Sequence, residues 1–229
     1  KNYTDFPSTA LINLDFKKIK IDKFSSRIKS TKAVGYLDIY DDKIILVSGN
    51  GNFLFLNKNE LSNNSKQITI KSNLKSIIKD ELFFNVTSPW FKDAISVNDI
   101  LIHKNIIYLS FVREVKNNCY NTSIIKAQVN TDFLEFEDFL IYPECAIFDK
   151  TKSLKNLKFN AQASGGRMAI YKDNDTEKML FTTGTFLVNS KDAQNDKSRL
   201  GKILLINLES SENKIFAKGF RNPQGLLVK

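Results

Sequence analysis

A repeated all-β unit, the arrangement of a β-propeller, is the fold class that this sequence predicts, and three observations point to it. Short runs of β-branched and aromatic residues alternate with Asp, Asn, Lys and Gly through most of the 229 residues, as strands alternate with turns. The runs recur in one order, strand, tight turn, strand, loop, strand. No long amphipathic helix interrupts them: residues 60–83, with Leu74, Ile77, Ile78 and Leu82, accommodate one short helix at most, in a loop insertion.

The first unit comprises residues 36–40, a polar turn at Asp41-Asp42-Lys43, residues 44–47, a Ser48-Gly49-Asn50-Gly51 turn and residues 53–56. The second comprises residues 99–102, a turn at His103-Lys104-Asn105, residues 106–110, a polar loop and residues 123–129. The third comprises residues 168–171, a turn over 172–177, residues 179–183, a long loop and residues 201–207. With Ile39, Ile100 and Ile170 as equivalents, the units start about 60 to 70 residues apart, against roughly 40 to 50 in familiar propeller repeats. The excess falls in the loops. One such sheet cannot bury both of its faces, whereas radial stacking on its neighbours can.

Residues 224–228 read as the opening strand of a fourth unit. Closed propellers typically have about 4 to 8 blades. Three to four units therefore predict that residues 1–229 form a single β-propeller domain, or a fragment of one whose last edge something else covers. A β-sandwich is the alternative all-β reading, because short strands and turns also fit it.

Composition narrows the partners. A hydrophobic share of 42% and a charged share of 26% are those of a globular domain and not of a disordered chain. The net charge of +9 comes from Lys spread along the chain. Without a basic stripe interleaved with aromatics, or a recognisable reading module, no nucleic-acid partner is expected. No apolar run approaches the roughly 18 to 20 residues of a bilayer span, so no membrane span is expected. The sequence opens at Lys1 with no basic, apolar, small-residue leader, which predicts a secretory signal that is absent or already removed. Cys119 and Cys145 either pair in an oxidising compartment or stay as two thiols. They make no metal site, having no CxxC spacing and His103 as the single histidine. His103 itself is expected as a surface residue of a hairpin turn.

Three strings near the end carry a more specific signal. Gly219-Phe220-Arg221-Asn222-Pro223-Gln224-Gly225-Leu226 resembles the Gly-x-Arg-Asn-Pro-Gln-Gly-Leu segment of the glucose/sorbosone dehydrogenase family. Ala193-Gln194 followed by Leu200-Gly201-Lys202-Ile203 is similar to the strand that precedes it in that family, and Gly165-Gly166-Arg167-Met168 to the start of the preceding blade. The order and spacing of the three agree from about residue 159 onward.

The resemblance implies a six-bladed propeller using pyrroloquinoline quinone (PQQ) and calcium to oxidise an aldose or similar alcohol, in the periplasm or outside the cell. It implies that Arg221 and Asn222 contact the quinone, since a cofactor with several carboxylates needs cations and amide donors in fixed geometry. Read from the residues alone, the pair equally serves to set the turn before a new strand, with Pro223 fixing the backbone. The family's general base, a His, falls at Ala163, which cannot take a proton, so its loss predicts feeble turnover. Thr185 stands where the family has an acidic residue, and residues 94–99 replace its Gly-Leu-Leu-Gly segment. Asp192 and Asp196 are either carboxylates able to reach the site or solvated loop residues. Two functions follow: a PQQ-dependent sugar dehydrogenase, degenerate or truncated, or a non-catalytic propeller that binds a carbohydrate or protein partner.

Overall fold

The structure, a computed structural model, describes residues 9–14, 17–22, 35–48, 51–60, 68–77, 97–148, 159–188 and 190–228. Within them β1 (Thr9–Leu14) and β2 (Lys17–Asp22) pair as a two-stranded sheet. The first large sheet contains β3 (Gly35–Tyr40), β4 (Lys43–Ser48), β5 (Phe53–Asn57) and β6 (Ile68–Ser72), with α1 (Leu74–Ile77) after it. The second contains β7 (Val97–His103), β8 (Ile106–Lys116) and β9 (Cys119–Gln128); β10 (Phe133–Leu134) crosses back to β6 of the first sheet, while β11 (Glu137–Leu140) and β12 (Ala146–Ile147) both pair with β9. The third is the antiparallel meander β13 (Gly165–Asp173), β14 (Thr176–Thr183), β15 (Lys202–Asn207) and β16 (Asn213–Lys218).

The second sheet is the middle layer, and its sequence shows why. Along β8 the side chains alternate between faces. Ile107, Leu109 and Phe111 join Ile45, Val47, Phe53 and Phe55 of the first sheet in one core. Tyr108 and Val112 join Met168, Met179, Phe181, Leu204 and Ile206 of the third sheet in another. On β9, Ile125 and Ala127 face the first core and Tyr120 and Ile124 the second. A strand buried on both faces is apolar at successive positions. Residues 106–112 are such a run, interrupted by Ser110, whose buried hydroxyl donates to Gly166 O. Each fully buried aliphatic or aromatic side chain contributes about 1.5 to 3 kcal/mol, so the two cores are what hold the layers together. Three sheets stacked face to face through two separate cores are blades of a propeller and not the two layers of a sandwich.

The hairpin turns were readable because their residues tolerate left-handed backbone. In the turns that were expected, Asp41, Lys104, Asn174 and Asp175 have positive φ. Other expectations need correction. Residues 111–122 are not a polar loop: β8 and β9 continue as one long hairpin to Lys116 and Cys119. The hydroxyl and amide side chains of Asn121, Thr122 and Ser123 are fully buried there, and the loop reading failed because they find internal hydrogen-bond partners. Residues 224–228 form no strand; the segment is bonded to the third sheet through Gln224 instead. β6 and β16 complete the first and third sheets but went unread. β16 is an outermost strand with solvent-facing Lys214, Phe216 and Lys218, and so lacks an apolar run. Gly49, Asn50 and residues 78–83 lie outside the described residues.

Cys119 and Cys145 form a disulfide, with Cα atoms 5.3 Å apart, which ties the end of the long hairpin to the segment leading into β12. Closing a loop of this length is worth about 3 kcal/mol in the chain-entropy picture. Replacing both cysteines with Ser should lower the urea-unfolding free energy by about 2 to 4 kcal/mol. An unchanged midpoint would show that the hairpin is held by packing alone.

Candidate functional site

At one end of the third sheet β13 begins, β14 ends, β15 begins, and the chain returns after β16 as residues 219–226. Two glycines let these segments meet. Gly201 has φ +70°, and a Cβ there would lie 2.4 Å from the carbonyl oxygen of Phe220. Gly166 has φ +101°, and a Cβ would lie 2.3 Å from Cβ of Asn98 on β7. Neither approach is open to an L side chain.

Lys202 explains the Leu200-Gly201-Lys202 string. The residue is fully buried, and its ammonium donates to the carbonyls of Asp192, Ala193 (3.0 Å) and Leu200 (2.9 Å). Burial pulls its pKa below the ordinary Lys value, while the charges of Asp192 and Asp196 push it back up. Three carbonyls exhaust its three donors and hold the turn Ser190–Gln194 against the sheet. Gly219 N in turn donates to Ala193 O (2.8 Å), so this turn seats the start of the returning segment.

Residues 221–224 are bonded at every step. Arg221 O accepts from Thr185 N (3.0 Å) and Thr185 Oγ1 (3.2 Å). Asn222 Oδ1 accepts from Gly165 N (3.3 Å) and Pro223 O from Thr182 Oγ1 (3.0 Å). Gln224 O accepts from Arg167 Nε (2.9 Å), and Gln224 Nε2 donates to Gln162 O (2.8 Å). Arg221 and Asn222 are exposed, and among the described residues the Arg221 guanidinium has no partner. Thr185, fully buried, occupies the acidic position of the resemblance and serves to hold this backbone.

Arg167 links this segment to the other two sheets. Its Nη1 donates to Asn98 O (3.0 Å) and lies 3.5 Å from Asp99 Oδ1. Its guanidinium carbon sits 4.9 Å from the ring centroid of Tyr36 on β3, within cation–π range. Asp99 Oδ2 accepts from Met168 N (2.9 Å). Burial raises the Asp99 pKa above the ordinary carboxylate value, and the Met168 amide and Arg167 charge work against that rise. Burial likewise raises the pKa of Tyr36, opposed by Arg167. In the sequence Arg167 and Asp99 stand out only as parts of strings. The usable signal was the Gly165-Gly166 pair before Arg167, which marks a close backbone approach.

The remaining expected residues are placed as follows. Ala163 is 2% exposed at the end of the short 3₁₀ turn Ala161–Ala163, and its carbonyl accepts from Phe186 N (2.9 Å). Asp196 pairs with Lys218 at 2.7 Å with its side chain 73% exposed, and this partner lowers its pKa. Asp192 contributes its carbonyl to Lys202. Neither carboxylate is brought against Arg221. His103 is not a solvated turn residue: it ends β7, its side chain is 17% exposed, and Nε2 lies 3.1 Å from Glu177 Oε2 on β14. The third sheet packs against this hairpin and covers it. Of residues 94–99, Ala94, Ile95 and Ser96 lie outside the described residues.

The family model described as Glucose / Sorbosone dehydrogenase matches residues 94–229. The chain belongs to the glucose/sorbosone dehydrogenase family. Among solved structures it is similar to a crystal structure of glucose dehydrogenase, with 13% identity, 83% of this chain and 52% of that chain covered, and a TM-score of 0.52. It is also similar to the crystal structure of an oxidoreductase described as a glucose dehydrogenase from Thermus thermophilus, with 13% identity, 86% and 54% coverage, and a TM-score of 0.54. The chain spans about half the length of these structures. At such identity the likeness establishes the fold, a β-propeller of this family's type. No curated protein matches the sequence.

Lys202→Met would leave three carbonyls without their donor. Unsatisfied buried polar groups cost about 1 to 3 kcal/mol each, and the turn can relax toward water. A loss of about 3 kcal/mol by urea unfolding is expected, with faster proteolysis within residues 190–201. Stability equal to that of the parent chain would show that this clamp does not hold the turn.

Proposed function

We propose that residues 219–226 are the cofactor-holding part of a pyrroloquinoline-quinone-dependent sugar dehydrogenase site, with an aldose or similar alcohol as substrate. The observation that carries this reading is the exposed Arg221 guanidinium, without a partner among the described residues, projecting from a segment bonded at residues 221, 222, 223 and 224. A guanidinium presents a planar fork of donors suited to carboxylates. With Asn222 Oδ1 engaged by Gly165 N, the amide nitrogen of Asn222 is left to donate. These two residues fit a quinone that bears several carboxylates. When bound, such a cofactor supplies the acceptor for the hydride of the oxidised carbon.

Calcium fits less well. Among the described residues no three His, Cys, Asp or Glu side chains converge, so no residue is assigned to it.

The general-base position, Ala163, carries no proton acceptor. General-base catalysis contributes about 10² to 10⁴ in rate, and turnover is reduced by about that factor. The burial of Ala163 at the end of the turn Ala161–Ala163 favours a second reading, a propeller that uses the same face to bind a carbohydrate or protein partner without chemistry. The Cys119–Cys145 disulfide supports an oxidising compartment, the periplasm or cell exterior.

Titration of the protein with PQQ and calcium, followed by cofactor absorbance and then by dye reduction with a panel of aldoses, tests the proposal. Saturable binding with slow turnover is expected. Arg221→Ala should weaken binding by a factor on the order of 10 to 100, the equivalent of one charge-assisted hydrogen-bonding group. Failure of the parent protein to bind would overturn the quinone reading and leave the binding propeller.

A further inference from the structure

We infer that Arg167 is a positioning residue that sets where Arg221 stands relative to the first and second sheets. The anchors supplied by Thr185, Gly165, Thr182 and Gln162 all come from the third sheet and its own loops. They hold the returning segment locally. Arg167 is the one side chain among the described residues that joins this segment, at Gln224 O, to Asn98 and Asp99 of β7 and to the ring of Tyr36 on β3. A ligand that touches more than one blade meets Arg221 in the right place only while this joint holds. Displacements on the order of 1 Å cost about a hundredfold in such sites.

The geometry requires the guanidinium fork and not just a charge. Nε and Nη1 point to carbonyls on different segments, Gln224 O at 2.9 Å and Asn98 O at 3.0 Å, while the planar group lies over Tyr36. A Lys ammonium on its flexible stem places one charge near Asp99 but cannot reproduce both bonds and the ring contact. Arg167 also makes its own backbone bond, N to Thr182 Oγ1 at 2.8 Å, which any side chain preserves. Substitution is therefore expected to leave the strand and both cores in place.

This inference rests on the reading of Arg221 given above for its consequence, but its structural half is independently measurable. Arg167→Lys and Arg167→Gln, in the whole chain, should each speed site-resolved amide exchange at Thr185 and Gly165, the donors to residues 221 and 222, by roughly tenfold or more, while amides of β8 and β14 keep their rates. Both should weaken PQQ binding by a factor on the order of 10 to 100, and Arg167→Lys, which keeps a charge near Asp99, should do so without a matching loss of melting temperature. Full restoration by Lys, or exchange unchanged in both variants, would overturn the inference. If the parent chain does not bind PQQ, the proposed function fails and exchange alone decides the positioning role. If neither variant folds, Tyr36→Leu, which removes the ring beneath the Arg167 guanidinium, should speed exchange at the same two amides; unchanged rates there would equally overturn it.

Discussion

The joint between Asp99 and the first turns of β13 is the constraint on which the rest of the arrangement depends. A carboxylate largely withdrawn from water is costly unless its charge is answered. Here one oxygen takes the Met168 amide and the other faces Arg167. Arg167 in turn cannot leave without exposing that carboxylate, uncovering Tyr36 and freeing Gln224 O. Three sheets and the returning segment are thereby bound into one interdependent cluster, in which each member needs the others to be satisfied. A second carboxylate works in the same sense between the first two sheets: Asp38 Oδ2 accepts from Ile102 N at 2.6 Å. Apolar cores supply the attraction between layers, but they are tolerant of sliding. Such directional bonds fix the register.

The interface between the second and third sheets changes character along its length. Away from the candidate site it is an apolar core with Tyr108, Ile124, Met179 and Ile206. Toward the site it becomes a layer of buried hydroxyls and amides. Ser110 Oγ donates to Gly166 O at 2.6 Å, Thr122 Oγ1 to Ser164 O at 2.7 Å, and Asn98 Nδ2 to Ser164 Oγ at 2.8 Å. This layer satisfies the backbone around the glycine pair, which a purely apolar interface would leave unbonded. It forms the floor of the candidate site. Family membership places the fold, but fold does not decide function; the case for a quinone site rests on Arg221, and the case for weak or absent chemistry rests on Ala163.

Much of the site was visible as strings and little of it as geometry. Arg221 and Asn222 stood out because an Arg-Asn-Pro-Gln-Gly run is specific, and both residues are exposed. Thr185 was read only as a missing acid, whereas its amide and hydroxyl both hold Arg221 O. Lys202 stood out only as part of the Leu200-Gly201-Lys202-Ile203 string, which does not show the three carbonyls around its ammonium. His103 was assigned to solvent because its neighbours are turn residues; Glu177, 74 positions away, is what covers it. In each case the deciding partner is distant in sequence.

Local sequence by itself determined most of the strands in the three sheets and the tight turns between them, because side-chain period, β-branching and left-handed-tolerant turn residues act over a few positions. Only the tertiary structure decided the partners: the closure of Cys119 on Cys145, the continuation of the long hairpin through residues 111–122, the docking of residues 221–224 as a bonded segment with no strand at 224–228, and the role of Arg167 across three sheets. Those outcomes depend on which buried donor meets which acceptor, and that is set by how whole sheets stack and not by any window of the chain.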